Sequence, residues 1–199
     1  MLEVNCVYQQ PELPNGCEAA SLAAVLNYLS YPASKTELTE DYIPRGETYY
    51  ENGVAYSPDP RRTYVGDPRD SSGFYILAPG LAAGANAYLA AWGGSYTARD
   101  ISGAGERELI AQLQAGRPVI VWTIMYYTDA QYADLTWVIA GTSERYIPYA
   151  NLHCRVLFGV EGENFYLADP IFGVQVVNRE TVMDSYQALG SQAVVIVAE

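Results

Sequence analysis

The spacing of apolar positions changes along the chain and separates a helical first part from a strand-rich second part. Leu22, Val25, Leu26 and Leu29 recur at helical spacing between Glu18 and Leu29, which predicts an amphipathic helix over residues 17–30 with one buried stripe. Tyr31-Pro32 ends it. Ser34 and Glu37 have the capping-box spacing and predict a short second helix that runs out before Pro44. Leu81 to Trp92 is alanine-rich and stops at Gly93-Gly94. Glu106 to Ala115 places Leu109, Ile110 and Leu113 on one face, with Gly116 as its stop, so both stretches are predicted helices.

After Pro118 the pattern is that of strands. Val119 to Met125 is a continuous apolar, mostly β-branched run and predicts a fully buried central strand. Residues 135–139 and 144–149 form a predicted hairpin across Gly141-Thr142-Ser143. Three further strands are predicted at Cys154–Val160, Phe165–Ala168 and Val174–Val177, then a helix at Arg179–Leu189 and a strand at Ala193–Ala198. At the other end Leu2, Val4, Cys6 and Tyr8 alternate with polar residues, which predicts a short edge strand with Cys6 on its apolar face. Helices first and strands mostly later make an α+β fold: N-terminal helices packed on one mainly antiparallel sheet, not an alternating βαβ chain.

One stretch follows neither period. Residues 43–80 are rich in proline and glycine with tyrosines between, an irregular insertion longer than compact domains usually carry without a function. The tyrosines argue for an ordered, groove-lining segment rather than disorder. With no linker or repeat elsewhere, 199 residues of which half are hydrophobic make a single domain over 1–199.

The net charge of −12 disfavours nucleic acid as a partner, because an acidic surface repels phosphates, and it tolerates neutral or basic peptides. The eighteen tyrosines suit either a peptide or glycan groove or simply a surface of half-buried rings. Three cysteines form no disulfide framework, and no pair has metal-binding spacing. A single histidine and no clustered carboxylate motif leave no ordinary zinc site, and Gly80 to Gly84 lacks the Lys-Ser/Thr of a phosphate loop. No cofactor is implied. MLEVNCVYQQ has neither the basic start nor the apolar run of an export signal, and no stretch reaches membrane-spanning length.

The chemistry concentrates at QQPELPNGCEAAS, Gln9 to Ser21. Cys17 falls in the first turn of the predicted helix, where unpaired N–H groups and the helix dipole favour a thiolate; most free cysteines, however, are buried and inert packing. His153 stands where a loop enters a strand, and Asp169 ends the next strand at a turn fixed by Pro170. Two antiparallel strands joined by Glu161-Gly162 bring both to one edge of the sheet, so the carboxylate can orient the imidazole. Gln9 precedes the cysteine as a neutral donor for a developing oxyanion, with Gln10 beside it as the alternative.

Together YQQPELPNGCEAASLAAVLNYL, GRPVIVW, NLHCRVLFGVEGENFYLADPIFG and LGSQAVVIV resemble the soluble C39-like cysteine peptidases. These are papain-superfamily relatives of the domains that trim double-glycine leaders from bacteriocins. YVGDPR is similar to the middle region of that family, and the resemblance spans nearly the whole chain. It implies a papain-like peptidase fold with Cys17 as nucleophile, His153 as base, Asp169 as orienting carboxylate and Gln9 as oxyanion donor, acting on a peptide or protein substrate. The residue after the histidine is often small in the family and is Cys154 here; strand alternation turns it away from the site. The transmembrane and ATPase regions of bacteriocin exporters are absent from this sequence, so cleavage coupled to export does not follow. Two alternatives to hydrolysis stand beside it: acyl transfer or deamidation on the same fold, and a non-catalytic peptide- or cell-wall-binding domain built around the tyrosine-rich insertion.

Overall fold

A computed structural model describes residues 1–199. At its centre is a six-stranded sheet in the order β11-β10-β9-β6-β12-β5, antiparallel at every pairing. The strands are β5 (Tyr96–Asp100), β6 (Val119–Ile124), β9 (Leu152–Glu161), β10 (Asn164–Asp169), β11 (Gly173–Asn178) and β12 (Ala193–Ala198). Every residue of β6 is buried because both faces of the sheet are covered, which is what a continuous apolar run requires. Ile120, Trp122 and Ile124 enter one core with α1 (Cys17–Tyr28) and α3 (Ala78–Trp92); Val119 and Val121 enter another with α4 (Glu106–Gln114) and α5 (Arg179–Ala188). The result is a helix–sheet–helix sandwich, an α+β fold.

The first helix is buried more completely than a single stripe allows, with every residue from Cys17 to Leu26 out of solvent. Its alanines at 19, 20, 23 and 24 let neighbours approach on all sides, and a helix apolar all round lies inside the protein. Leu26 is fully buried there, so Leu26→Ala is expected to lower stability by about 2–5 kcal/mol, read as a shift of the denaturant midpoint at constant slope. The second helix forms where the capping spacing places it, α2 (Lys35–Glu37), with Ser34 accepting from the Glu37 N–H, and it continues as a π-helical turn over Leu38–Tyr42.

Residues 43–80 are more regular than their composition suggests. They hold β1 (Arg45–Gly46), β2 (Tyr49–Glu51), β3 (Val54–Ser57) and β4 (Tyr64–Val65). The β2–β3 hairpin joins β7 (Trp137–Ile139) and β8 (Arg145–Tyr146) in a second sheet of order β2-β3-β7-β8, with β3 and β7 parallel. Strands of two to four residues are too short to display a period, and their partners lie far off in sequence. Residues 2–8, expected as an edge strand, form none; their backbone is tied to the sheet through Leu2 N to Phe158 O at 2.9 Å. The exposed ring of Tyr8 breaks the expected alternation. The edge strand β5 was not expected from its sequence, Tyr-Thr-Ala-Arg-Asp, and is held by pairing with β12.

Candidate active site

The loop before α1 is held on three sides. Leu13 N bonds to Gln9 O (3.0 Å) and Gly16 N to Leu13 O (3.1 Å), and Leu13 is fully buried. A Cβ on Gly16 would collide with the Leu13 side chain, so the N-cap position accepts only glycine. Asn15 bonds through its N–H to Pro68 O (3.0 Å) and through Nδ2 to Asp70 O (2.9 Å) and Gly73 O (3.0 Å), while Tyr64 Oη donates to Asn15 O (2.8 Å). Lys35 Nζ donates to the carbonyls of Tyr8 (2.5 Å), Gln9 (3.0 Å) and Gln10 (3.2 Å) and pairs with Glu12 (2.6 Å). The insertion and α2 together thus fix where α1 begins, with Cys17 as its first residue.

On the sheet, His153 pairs with Thr123 and Ala168 pairs with Val156, a register that leaves Asp169 beside Arg155 and within reach of His153. His153 Nε2 lies 3.1 Å from Asp169 Oδ1, which also accepts from the N–H groups of Ile171 (2.7 Å) and Phe172 (3.0 Å). Asp169 Oδ2 accepts from Arg155 Nε at 2.5 Å. Arg155 Nη1 bonds to Thr123 Oγ1, and its guanidinium lies over the Tyr127 ring, 4.7 Å from the centroid. A carboxylate can only accept, so Nε2 carries the imidazole proton and Nδ1 is the free basic nitrogen of the neutral ring. Gln9 N bonds to Pro170 O at 2.9 Å, which ties the loop before α1 to the turn that carries Asp169. Gln9 Nε2 donates to Pro14 O at 2.5 Å, and Gln9 Oε1 is buried without a partner.

Of the four residues singled out in the sequence, His153 and Asp169 are bonded directly and Gln9 is tied to their turn through its backbone. Cys17 Sγ is not hydrogen-bonded to His153; its thiol donates to Glu18 Oε2 at 3.3 Å. Cys17 nevertheless shares a buried cluster with Cys154, the residue after His153. Cys154 faces the core around α1 together with Cys17, where Ser21 Oγ donates to its carbonyl at 3.3 Å, and not away from Cys17 as expected; alternation along β9 then turns His153 to the other face of the sheet, with Thr123 and Arg155, so the structure does not bring Cys17 and His153 together. All three cysteines are free. The four residues lie beneath the surface, with relative exposures of 3% for Gln9, 8% for Cys17, 1% for His153 and 0% for Asp169.

Burial decides the protonation states. It pushes the Cys17 thiol well above its usual range, helped by the Glu18 charge and Cys154 and opposed by the Cys154 backbone. Burial thus overrides the helix-terminus effect expected to favour the thiolate. Burial also lowers His153; the Asp169 hydrogen bond opposes this, and the Arg155 charge adds to it. For Asp169 burial favours the acid, but His153, Arg155 and the Ile171 N–H outweigh it and hold the carboxyl below the carboxylate range. The resting arrangement is a neutral thiol, a neutral imidazole and an ionised aspartate.

Two site residues were missed in the sequence. Arg155 is an arginine in the middle of an apolar strand, and that was the available signal; it is buried and bonded through Nε to Asp169 and through Nη1 to Thr123. Glu18 reads locally as an ordinary acidic residue in a first helical turn, yet it is buried against Cys17. Beside the loop before α1, the insertion and β7 form a cleft of about 330 Å³ that includes Glu47, Asp67, Asp70, Phe74 and Trp137 and no lysine or arginine. None of the four site residues lines it.

A model of the Peptidase C39-like family matches residues 1–194. Over 190 residues the chain is 32% identical to the uncharacterized protein YvpB of Bacillus subtilis (strain 168), spanning 94% of this chain and 70% of that protein. A Bacillus anthracis protein described as a C39-like peptidase has a similar structure, with a TM-score of 0.85 at 28% identity over 100% of this chain and 96% of the other. The peptidase domain of Streptococcus ComA, a bifunctional ABC transporter of a quorum-sensing pathway, has the same fold at a TM-score of 0.57 and 15% identity, over 99% of this chain and 100% of that one.

Proposed function

The chain belongs to the Peptidase C39-like family, and from that premise we propose that it is a cysteine peptidase hydrolysing peptide bonds through Cys17, His153 and Asp169, with Gln9 as oxyanion donor. The observation that carries this reading is the buried His153–Asp169 hydrogen bond of 3.1 Å, formed at the end of the strand that Cys17 packs against. In the proposed cycle the thiol leaves Glu18, the start of β9 shifts to bring His153 to it, and Nδ1 takes its proton. The sulfur attacks the scissile carbonyl, and Asp169 stabilises the imidazolium without taking the proton. Arg155 and the amides of Ile171 and Phe172 keep that carboxylate ionised and aimed.

The oxyanion has two donors available to it. Gln9 Nε2 carries two hydrogens, and one is used on Pro14 O. The Cys17 N–H, first in its helix, has no preceding helical carbonyl. Collapse of the adduct breaks the C–N bond, His153 returns the proton to the leaving amine, and water hydrolyses the thioester. The cleft of carboxylates and aromatic rings beside Asn15 provides a surface for the rest of a neutral or basic peptide, in keeping with the charge of −12.

Incubation with a defined peptide mixture and mapping of new termini by mass spectrometry tests the reading. Cleavage that disappears on blocking Cys17 with iodoacetamide supports it, and no cleavage of any peptide argues against it. Repeating the digestion with an added amine separates hydrolysis from acyl transfer, since a transferase incorporates the amine at the new C-terminus. Gln9→Ala is expected to lower kcat by about 10²–10³-fold with little change in KM, because an oxyanion donor acts mainly in the transition state.

A further inference from the structure

Glu18 is a buried carboxyl for which the proposed cycle has no use. It directly follows the nucleophile, is 1% exposed, and both oxygens are engaged: Oε2 by the Cys17 thiol at 3.3 Å and Oε1 by the Ile76 N–H at 3.2 Å. Its surroundings are built rather than incidental. Ile76 is held from the other side by the Trp122 indole, whose Nε1 donates to Ile76 O at 3.0 Å. Trp122 lies on β6 opposite Cys154, so Cys17, Glu18, Ile76, Trp122 and Cys154 form a closed ring of contacts behind the nucleophile. A carboxyl in a salt bridge would need no further explanation, but no cation reaches this one: no salt bridge includes Glu18.

We infer that Glu18 is a second catalytic group of the site, the resting-state partner that holds the Cys17 thiol protonated and bonded to itself rather than to His153 until substrate enters. The inference rests on Cys17 being the nucleophile. Charge supplies the mechanism: a carboxylate in hydrogen-bond contact with a sulfur opposes a second negative charge there. While the thiol is bonded to Glu18 the sulfur is a poor nucleophile, which protects it from adventitious electrophiles. Meeting His153 breaks the S–H···Oε2 hydrogen bond; the proton then passes to Nδ1, and Glu18 keeps its bond to Ile76. No atom is gained or lost.

The ionisable groups that face this pair support the assignment. On α1 they are Cys17 and Glu18 themselves, on β4 the Tyr64 hydroxyl, and on β9 the Cys154 thiol. Tyr64 is held neutral by burial and by the charges of Glu18, Cys17 and Asp67. Burial raises Glu18 from 4.5 to about 7, with its own amide, Cys17 and the Ile76 N–H opposing. No cation is among these neighbours.

The test is the pH dependence of Cys17 alkylation by iodoacetamide, with peptide mass mapping to separate Cys17 from Cys6 and Cys154. It needs no substrate and no turnover, so its outcome stands apart from that of the peptidase assay. In Glu18→Gln the acceptor for Ile76 is kept and the charge is lost. The alkylation midpoint is expected to fall by about one pH unit, which makes alkylation near neutral pH about tenfold faster than in wild type. Superimposable profiles, or a midpoint that rises, overturn the inference. If Glu18→Gln does not fold, the carboxyl of Glu18 is followed by ¹³C NMR in wild type and in Cys17→Ala. Its midpoint is expected to rise when the thiol is removed, because the thiol hydrogen bond favours the carboxylate; an unchanged midpoint overturns the inference.

Discussion

Cys17→Ala is expected to reduce peptide cleavage by at least about four orders of magnitude while leaving the protein folded. In the proposed cycle the side chain supplies the nucleophile, and the roles proposed for His153, Asp169 and Gln9 are to orient, transfer protons or stabilise charge, none of which forms the thioester. The fold tolerates the change for local reasons. Gly16 rather than Cys17 is the N-cap, no side chain caps this helix, and alanines already occupy four of the following positions. The thiol makes one side-chain hydrogen bond, to Glu18. Removing it leaves Oε2 short of a partner, and Glu18 answers by remaining protonated to a higher pH. Peptide turnover and a thermal melt measured together separate the two effects: activity lost with the melt unchanged is the expected pair.

The second large effect is at Asp169. Asp169→Ala is expected to destabilise the protein by about 3–5 kcal/mol, because it leaves the Arg155 cation buried without a counter-charge. It also releases the His153 ring, so activity falls with stability. The double variant Asp169→Ala, Arg155→Met separates the two. Replacing both members of a buried pair with apolar groups is often neutral, so the denaturant midpoint is expected to recover while peptide cleavage does not. Failure of the midpoint to recover would mean that the carboxylate matters chiefly to the Ile171–Phe172 turn.

The signs of the pH effects follow from the same contacts. Asp169 has a folded pKa below its ordinary value, so its contribution to stability is present above the unfolded carboxylate pKa and is lost as pH falls toward the folded one. Glu18 is raised to about 7, and the sign reverses: folding is favoured while it is protonated, and that contribution declines as pH rises from the carboxylate range through about 7. Thermal melts of Glu18→Gln and wild type are therefore expected to diverge as pH rises from the carboxylate range to about 7 and to stay apart by a constant margin above it, with the variant the more stable.

How much of this was legible beforehand depends on the range of the interactions. β6, α4 and the β9–β10 hairpin could be read from the sequence because their periods and turns are local, and because a run such as Val119–Ile124 has few alternatives to a covered strand. The parallel pairing of β3 with β7 could not, since it joins residues far apart in sequence through very short strands. β5 carries no apolar alternation and owes its form to β12. In the site, a lone histidine, an Asp-Pro turn and a cysteine at a helix start could be picked out by type and order. Arg155 and Glu18 could not, because what distinguishes them is burial, which is a property of the packed neighbours. The same burial reverses the local expectation at Cys17, where desolvation and the adjacent carboxylate outweigh the helix terminus.

The central claim, a nucleophilic Cys17 activated by His153, is tested most directly by where a peptide-based electrophile attaches. A peptidyl acyloxymethyl ketone library applied to wild type, His153→Ala and Asp169→Asn, followed by mass mapping, locates the reactive sulfur and what activates it. The expected result is a single adduct at Cys17 in wild type, slowed by orders of magnitude in His153→Ala, with Cys6 and Cys154 unmodified. Labelling of Cys17 at the same rate with and without His153, or preferential labelling of Cys6, would contradict it.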